Sequence, residues 1–414
     1  MVRYLKNLDT FSKNIIIVFF GISLVNIFNL LCQLLIAHRL SAADFAAFNA
    51  LLSIFVIVST PLATLQTAVV KYTSEFNAHS QIDKVKFLLS NLLKKTAIFS
   101  VLTCFIVYFA AFYIIDKLKI SSIYSAYILI LLVSLSWITP VFMGGLQGLE
   151  LFNWFITVSI IAGAAKLLFA FIFIQLGFNI TGALCAFLVS VLLVLIMSAF
   201  ALRRFISFAT NPPEINFKEI FLYMLPVAIS SFCLVGLTNM DMVLVRYYFS
   251  PIESGVYSIA QMVGKIFLFL PSAISIVMFP KVSGLSAKQN NTAAILKRSL
   301  KYAAILCIVA SLLYNAFPIF ALKVLTGKTF PESIILGRLF SISMNFFALL
   351  FVIVTYFLSI KDLRFIKYLV FFSCLQVLAI GFLHRNLIQI QWILCGNAIL
   401  LFLIHLALAG FKKR

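Results

Sequence analysis

Apolar residues run along this chain in long stretches separated by short polar intervals. They do not alternate with period two, and they far outrun the roughly 4–8 residues of a buried strand. A hydrocarbon core about 30 Å thick needs about 20 apolar residues in a helix. Twelve stretches meet that need, near 14–37, 45–70, 92–115, 122–147, 155–176, 181–202, 219–246, 254–280, 299–320, 332–360, 366–383 and 389–409. The pattern predicts an all-α polytopic membrane protein whose connections are too short for a soluble domain. The first stretch is apolar from Ile15 to Ala37, longer than the roughly 7–15 residues of a signal-peptide core, and reads as a retained helix. Residues 80–95 carry apolar side chains at 82, 85, 88, 89 and 92, the face of an amphipathic helix expected along the cytoplasmic membrane surface.

Composition agrees with this and adds an asymmetry. Of 414 residues, 63% are hydrophobic and 11% charged, against about 45–50% and about 25% in soluble domains. So much apolar surface excludes an ordinary soluble enzyme, a disordered chain and a fibrous protein. Lys and Arg number 32 against 12 Asp and Glu, a net charge of +20. With the N-terminus placed inside, 22 of the basic residues fall on cytoplasmic segments, 7 on the opposite side and 3 within spans. That alternation is the positive-inside signal and predicts both termini in the cytoplasm. Most of the charge is therefore topology, and no basic domain or arginine-rich tail points to nucleic acid.

The chain also repeats itself. SAADFAAF at 41–48 and SPIESGVY at 250–257 share the spacing S-x-x-[DE]-x-[AG]-x-[FY]. In each, Ser41 or Ser250 is placed as an N-cap, with Asp44 or Glu253 as capping-box partner. Pro61 and Pro271 follow at mid-span as expected helix kinks. Convergence of two helix starts is the plain alternative; duplication is favoured because the proline and a terminal lysine (Lys71, Lys281) recur in step. Duplication gives two six-helix lobes related by a pseudo-two-fold axis: 1–202 and 219–414, joined by a cytoplasmic linker at 203–218. Secondary transporters that rock one half against the other are built this way.

Ionisable groups inside a membrane are costly and face the bundle interior by default. Lys166 and Lys265 lie near the middle of their spans and fit either a cavity lining or a structural pair. Arg338, a turn or two inside another span, and Arg246 sit near the outer edge, where snorkelling is the alternative. Arg39 stands at a span end, as a topology anchor or a vestibule lining. Asp241 is the carboxylate set well inside a span, either a coupling-ion site or the partner of a buried lysine. Asn26, Asn29 and Gln33 form one polar stripe; Tyr257 and Gln261 form another with Lys265. Such stripes serve helix–helix hydrogen bonds or line a cavity. A lining rich in Lys and Arg suits an anionic cargo, phosphate or carboxylate.

No catalytic constellation emerges. The seven cysteines fall within apolar spans without a Cys-x-x-Cys pair, and the four histidines are scattered. No metal site and no cofactor are expected. Gly327-Lys328-Thr329 imitates the end of a phosphate-binding loop, but Leu322 stands where its glycine is required.

HRLSAADFAAFNAL at 38–51, GGLQGLELFN at 144–153 and NMDMVLVRYYFSPIESGVYSIAQMVGK at 239–265 resemble the polysaccharide-export branch of the multidrug/oligosaccharidyl-lipid/polysaccharide transporter superfamily, the O-antigen and capsule repeat-unit flippases. The resemblance implies alternating access through a cationic central cavity, carrying an undecaprenyl-pyrophosphate-linked oligosaccharide across a bacterial inner membrane. It implies a phosphate-binding role for Lys166, Lys265 and Arg338, and more weakly for Arg246 and Arg39. The implied partners are the polyprenyl-pyrophosphate-linked oligosaccharide and membrane lipids, with the polysaccharide polymerase and chain-length machinery as further candidates. A cation-coupled multidrug exporter of the same superfamily is the first alternative, although the first span lacks the acid such exporters often use. An integral-membrane polymerase or glycosyltransferase is the second.

Overall fold

The computed structural model describes residues 10–120, 122–206, 217–269, 292–360 and 362–410, with four isolated positions between 270 and 291. Among the described residues it is all helix, with no strand. In hydrocarbon every backbone N–H and C=O must be satisfied within its own segment, which long apolar stretches achieve only as helices. The helices are α1 (Thr10–Arg39), α2 (Ala42–Ala78), α3 (Ile82–Lys117), α4 (Ile123–Ser136), α5 (Thr139–Gly148), α6 (Phe152–Gln175) and α7 (Asn179–Leu202). They continue as α8 (Phe217–Tyr248), α9 (Pro251–Phe269), α10 (Ala293–Ala316), α11 (Pro318–Thr326), α12 (Pro331–Ser359), α13 (Ile366–Phe382) and α14 (Leu387–Gly410).

Ten segments among the described residues are long and apolar enough to cross a membrane. They match ten of the twelve expected spans. Of the other two, 366–383 is the shorter apolar helix α13, and α9 covers 254–269 of the span expected at 254–280. Pro271 and most of the 203–218 linker lie outside the described residues.

Two compact units make up the fold. One contains residues 1–40 and 58–224, the other 41–57 and 225–414. The dividing point inside α2, between Ile57 and Val58, falls about one turn before Pro61. Pro61 has no N–H to give the Ile57 carbonyl, so the helix continues there without its usual bond.

In the first unit, α6 packs between α1 and α7. Val85, Leu88, Leu89 and Leu92 of α3 join Val141 and Leu146 of α5, Phe155 and Ile156 of α6 and Leu202 in one buried cluster. This corrects the expected surface helix at 80–95: its apolar face packs on protein, and α3 runs unbroken from there into the span. The opposite face of α3 bares Ile98, Val101, Phe105 and Phe109, a stripe suited to lipid. Close packing of α5 on α2 depends on two glycines. A Cβ on Gly144 would lie 2.8 Å from Val69 Cβ, and one on Gly148 would lie 2.7 Å from Thr73 Cβ. Small residues four apart let helix backbones approach in this way.

The span expected at 122–147 is two helices rather than one. Pro140 cannot donate to the Ser136 carbonyl, and the Thr139 hydroxyl donates to it instead at 2.9 Å. The chain tightens over Trp137 and Ile138 before α5 begins.

In the second unit, α12 is the central helix. It packs against α9, α10 and α14, and α13 closes on α14. Phe340, Phe347, Phe357 and Leu350 of α12 are fully buried, with Leu394 and Leu401 of α14. The repeated N-terminal motifs both cap their helices, and the second forms the full reciprocal capping box. Ser41 Oγ donates to Asp44 at 2.8 Å and accepts the Asp44 N–H at 3.1 Å. Ser250 Oγ accepts the Glu253 N–H at 3.3 Å, and Glu253 accepts the Ser250 N–H at 3.0 Å. The two helix starts touch: a Cβ on Gly255 would meet the Ala42 backbone at 2.8 Å.

Candidate functional site: buried polar clusters in an apolar chain

Asp241, near the end of α8, is fully buried in the second unit. Its carboxylate accepts the Tyr257 hydroxyl at 2.8 Å. It also accepts the Gln261 amide, at 3.1 Å on one oxygen and 3.0 Å on the other. Tyr257 and Gln261 are one turn apart on α9, so both reach the same acid. Tyr257 in turn accepts the Gln391 amide of α14 at 3.1 Å. Lys265, one further turn along α9, is half-buried and within electrostatic range of Asp241. The sequence stripe 257–261–265 and the acid at 241 thus form one constellation.

Beside it a second set of amides joins α8, α13 and α14. Gln376 donates to the Leu237 carbonyl at 2.9 Å, and Asn397 donates to Gln376 at 2.7 Å. Gln376 is 1% exposed and Gln391 is not exposed at all. Sequence reading passed over Gln376, Gln391 and Asn397. The signal was present, a polar side chain inside an apolar span, but uncharged amides there are less conspicuous than lysines.

The first unit has a polar pairing of its own, between an exposed Asn29 and a half-buried Lys166. Lys166 Nζ on α6 donates to Asn29 Oδ1 on α1. The ammonium lies 4.7 Å from the centre of the Phe187 ring of α7 and near Cys32. Asn29 is the stripe member that holds the lysine. Asn26 is exposed and Gln33 half-buried on the same helix.

The arginines go to different places. Arg246 is only 3% exposed, with the Asp44 carboxylate of α2 within electrostatic range. Snorkelling to the surface does not describe it. Arg39 is exposed at the end of α1, 5.9 Å from the centre of the Phe171 ring. Arg338 is exposed on α12, near Tyr314 of α10. Among the described residues, no group of three His, Cys, Asp or Glu side chains is placed to hold a metal ion.

Comparison with solved structures gives the fold a context. An inward-facing multidrug resistance MATE family transporter of the MOP superfamily matches with a TM-score of 0.77 and 14% identity, over 94% of each chain. The MATE multidrug transporter DinF-BH matches with a TM-score of 0.68 and 15% identity, over 96% of this chain and 94% of that one. A MOP superfamily transporter from Pyrococcus furiosus, described as having a binding pocket of reverse polarity, matches with a TM-score of 0.54 and 16% identity, over 96% and 95%. At these identities the likeness shows the fold, a two-lobed MATE-like arrangement of helices. No curated protein matches the sequence. The family described as polysaccharide biosynthesis protein matches residues 11–286, most of the chain. The chain therefore belongs to the polysaccharide biosynthesis protein family.

Proposed function

We propose that this protein is a flippase for an undecaprenyl-pyrophosphate-linked oligosaccharide, an O-antigen or capsule repeat unit, carried by alternating access across a bacterial inner membrane. The observation that carries this reading is the polarity of the first unit. Lys166 lies half-buried at mid-span, held by Asn29, and α1 contains no Asp or Glu. A cation at that depth favours a phosphate-bearing cargo over a cationic drug. The Pyrococcus furiosus transporter is likewise described as having reversed pocket polarity that suggests a different function. Lys265 supplies the matching cation of the second unit, with Asp241 as its counter-charge. In this reading Lys166 and Lys265 meet the pyrophosphate and any acidic sugars. Arg338 shares that role, with Arg246 and Arg39 as its weaker members. The polysaccharide polymerase and chain-length machinery are its downstream partners.

The test is surface polysaccharide in cells carrying Lys166→Ala or Lys265→Ala as the only copy, with membrane insertion checked by immunoblot. Loss of polysaccharide with normal insertion is expected. Normal polysaccharide in both variants overturns the cationic reading. Drug hypersensitivity of a deletion strain with intact polysaccharide would assign a multidrug exporter instead. Sugar transfer by the purified protein would assign an enzyme.

A further inference from the structure

A cavity of about 310 Å³ opens in the first unit where α5 turns into α6. Its lining includes Gln147 and Glu150 of that turn, Phe152 and Phe155 of α6, Ser74 of α2, and three aliphatic side chains of α1 and α2. Glu150 is the charged member of this lining. In a chain of 32 basic and 12 acidic residues, a pocket whose charge is negative runs against the bulk composition.

The backbone holds that acid in an uncommon way. The Leu151 N–H donates to the Leu146 carbonyl at 2.9 Å and the Glu150 N–H to the Gln147 carbonyl at 3.0 Å. This is the closure that ends a helix on a left-handed residue, a position usually held by glycine. Glu150 occupies it with φ of 58°. A glycine would close the turn with less strain, but it would leave no carboxylate at the mouth of the cavity.

We propose that this cavity binds an alkylammonium group. The Glu150 carboxylate is its counter-ion. The Ser74 hydroxyl and the Gln147 amide oxygen are further acceptors; the latter already takes the Gln66 amide at 3.5 Å and has a second lone pair. Phe152 and Phe155 supply aromatic surface to the lining, which suits a cation and its methylenes. One carboxylate with an amide and a hydroxyl is too poor in oxygen for Ca²⁺, which takes about 6–8 oxygen ligands. The volume lies at the low end of small-molecule sites, about 300–1,000 Å³, and suits an ethanolamine-sized group rather than an oligosaccharide. Two sources carry that chemistry: the headgroup of an aminophospholipid in the cytoplasmic leaflet, where the charge pattern places this turn, and a soluble amine. The site does not depend on which cargo the transporter moves.

Thermal melting of the full-length protein separates these. The protein is placed in nanodiscs of phosphatidylglycerol alone, in discs containing phosphatidylethanolamine, and in phosphatidylglycerol discs with added ethanolamine. Stabilisation by phosphatidylethanolamine alone assigns the lipid headgroup; stabilisation by free ethanolamine as well assigns any small amine. In either case Glu150→Gln weakens the response at least about tenfold in midpoint concentration. Glu150→Gly does the same while the fold melts no lower than wild type, because glycine fits the turn. If Glu150→Gly does not fold, Glu150→Gln alone decides. No stabilisation of wild type by either amine overturns the proposal, and so does a full response in the Gln variant.

Discussion

Asp241→Leu separates an acid that organises the second unit from one that merely sits in it. Leucine keeps the branched outline, though it is larger than aspartate, and it accepts no hydrogen bond. In the native cluster Tyr257 donates at 2.8 Å and Gln261 at 3.0 and 3.1 Å to this carboxylate, and both side chains are buried to within 1%. Stranding two buried donors costs roughly 1–3 kcal/mol each, hence roughly 2–6 kcal/mol in all. Lys265 loses the charge that offsets its burial. Lys265 is only half-buried, so the loss of its counter-charge adds a smaller, solvent-screened cost. The assay is thermal unfolding of purified protein followed by a thiol-reactive dye, which reads exposure of the buried Cys32, Cys233, Cys307 and Cys395. Asp241→Leu is expected to melt several degrees below wild type. The double variant Asp241→Leu, Lys265→Met is expected to recover part of the loss, since no uncompensated charge is left behind. A wild-type melting curve for the single variant, or losses that simply add in the double, would refute the cluster as described.

Other outcomes follow from the same geometry. Tyr257→Phe removes the hydroxyl that links Asp241 to Gln391 and should cost about 1.5–3 kcal/mol, as for hydrogen bonds to charged groups, read by the same melting assay. In a double-mutant cycle, Lys166→Met and Asn29→Leu should couple by about 0.5–3 kcal/mol, because the two side chains share one contact; zero coupling would dissolve that contact. Gly255→Val forces a Cβ to within 2.8 Å of the Ala42 backbone and should destabilise by about 1–3 kcal/mol. The control Gly236→Ala meets nothing within 4 Å and should stabilise by up to about 1 kcal/mol.

Much of this molecule is legible along one dimension. Helix class and most span positions follow from runs of apolar residues, because a bilayer leaves the backbone no other way to satisfy itself. Capping at Ser41 and Ser250 is local chemistry over three residues, so it too is readable from spacing. Lys166, Lys265 and Asp241 stand out because charge is rare in such a chain. What charge is paired with is another matter. That Asn29 holds Lys166, and that Gln391 completes the Asp241 cluster from α14, are facts of helix–helix contact between residues 134 or more apart. No periodicity encodes that separation. The amphipathic face at 82–92 shows the same limit. Sequence establishes that it has an apolar side, and only packing decides whether that side meets lipid or Leu202 and Leu146 of its own unit. Likewise proline at 61 is visible in the sequence, but its effect depends on what each half of the helix packs against. There the first half of α2 joins the second unit. Local hydrogen bonding and the membrane's hydrophobic demand are properties of a segment, and the sequence settles them. Partner choice is a property of surfaces, and only the tertiary structure settles that.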